Sequence, residues 1–198
     1  MNKVKKNKKF FEEKLKELSK CSRVLDVGGG APFQKQMAKY EPWFSGVQYQ
    51  TMDYSPAFKP DIVGDIHNMP FANEELEGIL CKAVLEHVLD PIRAVDEIHR
   101  VLKKDGKVLL WVPFLYPYHS HSSEYGDYWR FSKDAIKHMF RNFSKLEMVE
   151  SKGYFKTMME LSPLPHFGQR ALSPFADLMD SIVPISNQVS GYTIYAEK

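Results

Sequence analysis

Three aspartates stand at or beside the ends of short apolar runs in the first third of the chain. Asp26 lies in Arg23-Val24-Leu25-Asp26-Val27, two residues before Gly28-Gly29-Gly30. Asp53 closes the run from Val47 to Met52, and Asp65 follows Gly64 after Asp61-Ile62-Val63. Glycines after a first strand let the backbone come close to a ligand. A carboxylate beside such a turn repels a pyrophosphate but attracts a ligand with a positively charged amino-acid end. An acid at the end of the second strand can take two ribose hydroxyls. Asp65 can accept from an adenine amino group while the backbone of Ile66 reads the ring edge. Each has a plainer use, since Asp26 can cap a turn and Asp65 can simply be solvated. Their recurrence at successive strand ends is what points to a ligand.

A second chemical cluster runs from Pro113 to Phe131, where nine of 19 residues are His or aromatic. As a lid, it would pack its rings on the edge of the fold. As an acceptor site, aromatic faces would stack on a sugar or ring while His119 or Asp127 takes a proton. Histidine is suited to that task because its pKa lies near neutrality. His119 is the first candidate for the base, ahead of His121, with Asp127 orienting the imidazole or acting as base itself. Arg130 can hold a phosphate or carboxylate, or form a salt bridge to the body. His121, Tyr125 and Trp129 complete the acceptor-facing set. His119-x-His121 with Glu124 and Asp127 offers metal ligands, but not in a familiar closed spacing, so no metal is expected.

These residues need a frame to hold them. The chain has 198 residues, 43% apolar and 26% charged, which suits one globular domain. The net charge of +2 is split: residues 1–20 carry eight Lys against three Glu, and the rest is mildly acidic. We expect a basic N-terminal arm and helix over 1–20, with Lys-rich residues before Phe10 solvated, and one domain over 21–198. A nucleic-acid-binding body would spread its basic residues over a face, so no nucleic-acid partner is expected. The arm suits at most a weak contact with an anionic membrane surface. Two cysteines without metal or disulfide spacing, and no signal-peptide pattern, lead to the expectation of a cytoplasmic location.

Helical spacing of apolar residues runs over Phe10–Leu18. Pro32 is expected to open a helix towards Lys39. Asp90-Pro91 opens a helix with a stripe at Ile92, Val95, Ile98, Val101 and Leu102, ending at Lys103–Gly106. Strands are expected at 23–27, 47–52, 61–63, 78–81, 107–112, 146–150 and 192–196, and a helix capped by Ser132 runs to Arg141. Residues 154–188 are expected to form short helices over an opening. This alternation indicates a doubly wound α/β sheet, with ligands beyond the carboxyl ends of its strands.

The segments Val24–Gly30, Met52-Asp53-Tyr54, Gly64–Phe71, Val84–Pro91 and Glu97–Gly106 resemble the class I S-adenosylmethionine-dependent methyltransferases, particularly the methyltransferase type 11 group. The resemblance covers about residues 20–150 and the final strand. It implies a Rossmann-like seven-stranded sheet of order 3-2-1-4-5-7-6 with strand 7 antiparallel. By that resemblance Asp26, Gly28, Gly29 and Gly30 line the methionine and ribose portion of S-adenosylmethionine, and Asp53, with Tyr54 beside it, holds the ribose. Asp65 and Ile66 hold adenine, and Cys81 offers its carbonyl to the amino group. Glu86-His87 is a helix start below the cofactor. Pro32 replaces the usual third glycine, and Gly106 stands where a pair is common. The run Asp127–Ser132 looks like a branch found with cell-surface polysaccharide enzymes. The implied activity is methyl transfer to a small-molecule or glycan acceptor, a sugar hydroxyl foremost. The alternatives are a non-catalytic S-adenosylmethionine-binding scaffold and a nicotinamide-dependent oxidoreductase, the latter disfavoured by Asp26 and the missing glycine.

Overall fold

A computed structural model describes residues 3–121, 124–183, 185 and 187–198. Met1 and Asn2 of the expected arm lie outside them. Seven strands form one sheet: β1 (Arg23–Val27), β2 (Gln48–Asp53), β3 (Ile62–Val63), β4 (Leu76–Lys82), β5 (Leu102–Pro113), β6 (Lys145–Glu150) and β7 (Gly191–Glu197). Their order is β3-β2-β1-β4-β5-β7-β6. β1 to β5 pair in parallel, and β7 runs antiparallel to both neighbours. This is the doubly wound, Rossmann-like arrangement.

Alternation along the central strands feeds two cores, one on each face. Leu25, Ile79, Val108, Leu110 and Ile194 pack with the helix α2 (Pro91–Val101) and with Ile136 of α3 (Lys133–Met139). Val24, Leu80, Leu109 and Tyr195 turn the other way, against Leu15 and Leu18 of α1 (Lys3–Leu18). Asp90 caps α2 by accepting from the Arg93 N–H at 3.0 Å, with Pro91 in the first turn. Ser132 caps α3 by accepting from Ala135.

Three expectations are corrected. The Lys-rich residues before Phe10 are helical rather than loose: Lys3 pairs with Glu150 at 2.7 Å, and Asn7 Nδ2 donates to Thr193 Oγ1 at 2.8 Å. Pro32 does not open a helix. Phe33 and Lys35 take left-handed φ values of 51° and 53°, and a 3₁₀ helix begins only at Lys35. Burial decides this, because Phe33 stacks on Tyr49 with centroids 4.1 Å apart. Finally, α4 (Tyr154–Leu161) and α5 (His166–Ile182) contribute no residue to the main cavity described below. They pack on each other, with Asp180 accepting from the Phe155 and Lys156 N–H groups at 2.9 and 3.1 Å.

The arm therefore belongs to the core. Leu15→Ala deletes a fully buried side chain and is expected to destabilise the fold by about 2–5 kcal/mol in urea unfolding. A loss below about 1 kcal/mol would show that α1 is dispensable to the body.

Candidate active site

The carboxyl ends of β1, β2 and β4 open into a cavity of about 530 Å³. Its wall includes Gly28, Gly30, Asp53, Tyr54, Asp65 and Ile66, together with His87 and Tyr125. Gly28 has φ +74°, which side chains rarely adopt. Gly29 has a different reason: a Cβ there would collide with the Asp26 carboxylate beneath it.

Asp26 is only 5% exposed. Burial pushes its carboxyl up to about 6, against the opposing effect of the Tyr49 hydroxyl, which donates to Oδ2 at 2.6 Å, and of the Lys82 charge. Asp53 is held above its ordinary range by burial, although it accepts from Ser55 N at 3.2 Å. At Asp65 burial pushes upward, but hydrogen bonds from the His67 backbone and ring outweigh it and leave the group below its ordinary value. His67 donates from Nδ1 at 2.7 Å, because its Nε2 accepts from Asp90 N at 3.2 Å. This imidazole fixes the Asp65 carboxylate and was not foreseen from sequence; the spacing Asp65-x-His67 was its only signal. Cys81 lies buried between Val27 and Leu110, and the cavity wall is reached at Ala83 and Val84.

The loop from Phe114 to Phe131 is braced to the short 3₁₀ turn Leu85–His87. The N–H groups of Tyr128 and Trp129 both donate to the Glu86 carbonyl, at 2.8 and 3.2 Å. The Trp129 indole donates to the Val88 carbonyl at 2.8 Å. Arg130 grips Asp127 with two bonds of 2.6 and 2.8 Å and also reaches the carbonyls of Tyr116 and Pro117. These polar groups are thus engaged within the loop and its support. Arg130 holds Asp127 well below the usual carboxylate range, at about 2. Tyr125 packs on His87 with centroids 4.4 Å apart and lines the cavity, whereas His121 bridges to Tyr125 through the backbone and stays outside the wall.

His119 sits beside Asp127, which accepts its backbone N–H at 2.8 Å. Its ring Nδ1 faces the Pro117 carbonyl at 3.0 Å and Asp127 Oδ2 at 3.2 Å. A carbonyl can only accept, so Nδ1 carries a hydrogen, and in the neutral ring Nε2 holds the lone pair. That nitrogen lies 3.7 Å from Glu86 Oε1. Glu86 is completely buried, and burial, with the Asp127 charge adding to it, pushes its carboxyl up to about 8. An acid between apolar neighbours in Val84-Leu85-Glu86-His87-Val88 was visible in the sequence. Its meeting with a residue 33 positions away was not.

Residues 25–110 match the family model of a methyltransferase domain. A crystal structure of a SAM-dependent methyltransferase from Archaeoglobus fulgidus superposes with a TM-score of 0.62 at 15% identity, covering 96% of this chain and 92% of that one. The fold is that of the S-adenosylmethionine-dependent methyltransferases. Phosphoethanolamine N-methyltransferase 2 of Haemonchus contortus, solved in complex with S-adenosyl-L-methionine, gives 0.57 at 14% identity over 96% of this chain and 52% of that one. A curated relative, an uncharacterized 37.1 kDa protein in transposon TN4556 of Streptomyces fradiae, is 34% identical over 58 residues, which are 29% of this chain and 16% of that protein. This chain thus spans about a sixth of that relative's length.

S-adenosylmethionine is the cofactor of this methyltransferase fold, and the cavity suits it. The wall is free of Cβ atoms at the turn, where Gly29 leaves the Asp26 carboxylate close beneath. Asp53 and Asp65 both line the cavity. In the ligand-free protein Asp26 is a burden, because its raised pKa means stability falls as pH rises from about 4 to about 6 and stays lower above that. Asp26→Asn is expected to raise the Tm of the free protein at pH 7 by about 5 °C and to weaken S-adenosylmethionine binding at least tenfold in calorimetry. A variant that binds as tightly as the parent would remove Asp26 from the site.

Proposed function

We propose that the protein transfers a methyl group from S-adenosylmethionine to a hydroxyl of a sugar or nucleotide-sugar acceptor. When bound, the cofactor supplies a methyl group made electrophilic by its positively charged sulfur. Asp53 holds the ribose hydroxyls, Asp65 and the Ile66 backbone hold adenine, and Asp26 acts through the glycine turn on the charged amino-acid end. Cys81, one residue before the end of β4, offers its carbonyl to the amino group.

The acceptor reading rests on one observation above all. The aromatic loop is fastened to the turn carrying His87, so that Tyr125 and Tyr128 line the same cavity as Gly28 and Gly30. Tyr128 is 54% exposed and offers a face on which a sugar ring can stack. His119 is the proposed base: its Nδ1 hydrogen is already engaged, so a hydroxyl proton is received on Nε2. Asp127 orients the ring, and Arg130 keeps Asp127 ionised. Much of the rate comes from alignment, for which oriented reactants recover roughly 7–11 kcal/mol of barrier.

His119→Ala is expected to lower turnover by about 10²–10⁴ while leaving the dissociation constant for S-adenosylmethionine within about twofold. The measurement is transfer of labelled methyl to a panel of nucleotide sugars, beside calorimetry on the same variant. Unchanged transfer would contradict the base assignment, and transfer to amines alone would contradict the hydroxyl.

A further inference from the structure

Glu86 presents a problem that the cofactor site does not solve. Its side chain is 0% exposed, and neither carboxylate oxygen receives a hydrogen bond from another described residue. Leaving such a group without partners is costly. The groups facing it are two imidazole nitrogens: His119 Nε2 at 3.7 Å and His87 Nε2 at 3.9 Å from Oε1. Both distances are too long for hydrogen bonds.

The far side of each ring is already occupied. His87 Nδ1 donates to the Gly126 carbonyl at 2.6 Å, as His119 Nδ1 does to the Pro117 carbonyl. Each ring is therefore locked with its Nε2 lone pair towards Glu86. Three acceptors thus converge on one point, with their ligand atoms all within 4.8 Å of one another.

A cation answers all of this. Ligand atoms about 2.0–2.2 Å from one ion stand about 3.0–3.5 Å apart, so closing on it requires shifts of only about an ångström. Ring N–H groups held by backbone carbonyls or carboxylates are the usual outer support of metal-bound histidines. The neighbouring charges do not serve Glu86 directly, because Arg130 and Asp127 are bonded to each other.

We infer that Glu86, His87 and His119 form a binding site for one divalent transition-metal ion of the zinc or iron(II) type. Two histidines and one carboxylate suit such ions, and three ligands leave a coordination position for water or an acceptor oxygen. The set differs from the one the loop sequence offers, since His121 and Glu124 are turned elsewhere and Glu124 bonds the Ser55 hydroxyl. The site deepens the acceptor reading, because an ion there takes up the His119 lone pair and replaces the imidazole as the group that makes the acceptor hydroxyl acidic. Metal binding itself does not depend on that reading.

The test is calorimetric titration of the chelator-stripped full chain with Zn²⁺, together with the visible absorption of Co²⁺ added in its place. We expect one ion per chain, a Co²⁺ spectrum of nitrogen and oxygen ligation, and at least a 10-fold to 100-fold loss of affinity in both Glu86→Gln and His119→Ala. His138→Ala, on the exposed face of α3, should bind as the parent does. If Glu86→Gln fails to fold, His119→Ala decides, because that ring is partly exposed. Absence of saturable 1:1 binding, or binding equal in both variants and the parent, overturns the site. Calorimetry with S-adenosylmethionine on the same stripped protein reports on the cofactor site separately, so the two readings fail independently.

Discussion

A carboxylate buried beneath a glycine turn is the constraint around which the nucleotide side of this protein is arranged. Burial pushes the Asp26 carboxyl up to about 6, which corresponds to roughly 3 kcal/mol against the ionised form. That net cost remains after the Tyr49 hydroxyl has eased it, and Gly29 cannot carry a side chain because the carboxylate occupies its space. Tyr49 in turn stacks on Phe33, which sits in a left-handed backbone, and the next helix begins only at Lys35. One polar group thus shapes the turn, the strand beside it and the connection that follows. A ligand-free fold has no use for such a cost, whereas a cationic ligand above the turn would offset it.

The acceptor side is organised by a different device. The Glu86 carbonyl accepts from two consecutive N–H groups of the aromatic loop, and the Asp127–Arg130 pair folds the loop upon itself. The described residues of the loop are therefore tied to the turn at Glu86. Its conformation brings the His119 ring to Glu86 and to His87; of these three, His87 lines the cavity, with His119 and Glu86 behind it. On the opposite face of the sheet, α1 closes the core against Leu80, Leu109 and Tyr195. The basic residues that dominate its composition are partly engaged with β6 and β7, as Lys14 shows with Glu147 at 2.9 Å.

Much of this was legible in the sequence for a physical reason. The strands are continuous apolar runs ended by Gly or Asp, and period, capping and turn residues agree at Asp90-Pro91 and Ser132. The three aspartates fall at or just beyond the carboxyl ends of β1, β2 and β3, the rim where parallel sheets take their ligands. Strand order came from family resemblance, since spacing does not determine which strands pair. What remained hidden depended on long-range packing. Pro32 favours a helix start, but the ring of Phe33 overrides it. Glu86 and His119 meet only because the loop turns back onto the strand, and no periodicity marks that meeting. The helix α5 turns Asp177 and Asp180 towards α4, a choice made by pairing with Lys156 and its neighbours rather than by its own pattern.

The central claim is that the carboxylates at the ends of β1, β2 and β3 hold S-adenosylmethionine. Calorimetric titration of the protein with S-adenosylmethionine over a pH series tests it most directly. The account predicts one molecule bound per chain, with affinity falling as pH drops through about 6 and Asp26 takes up its proton, and loss of binding in Asp53→Ala. Absence of saturable binding, or affinity indifferent to both the pH change and the Asp53 substitution, would contradict it.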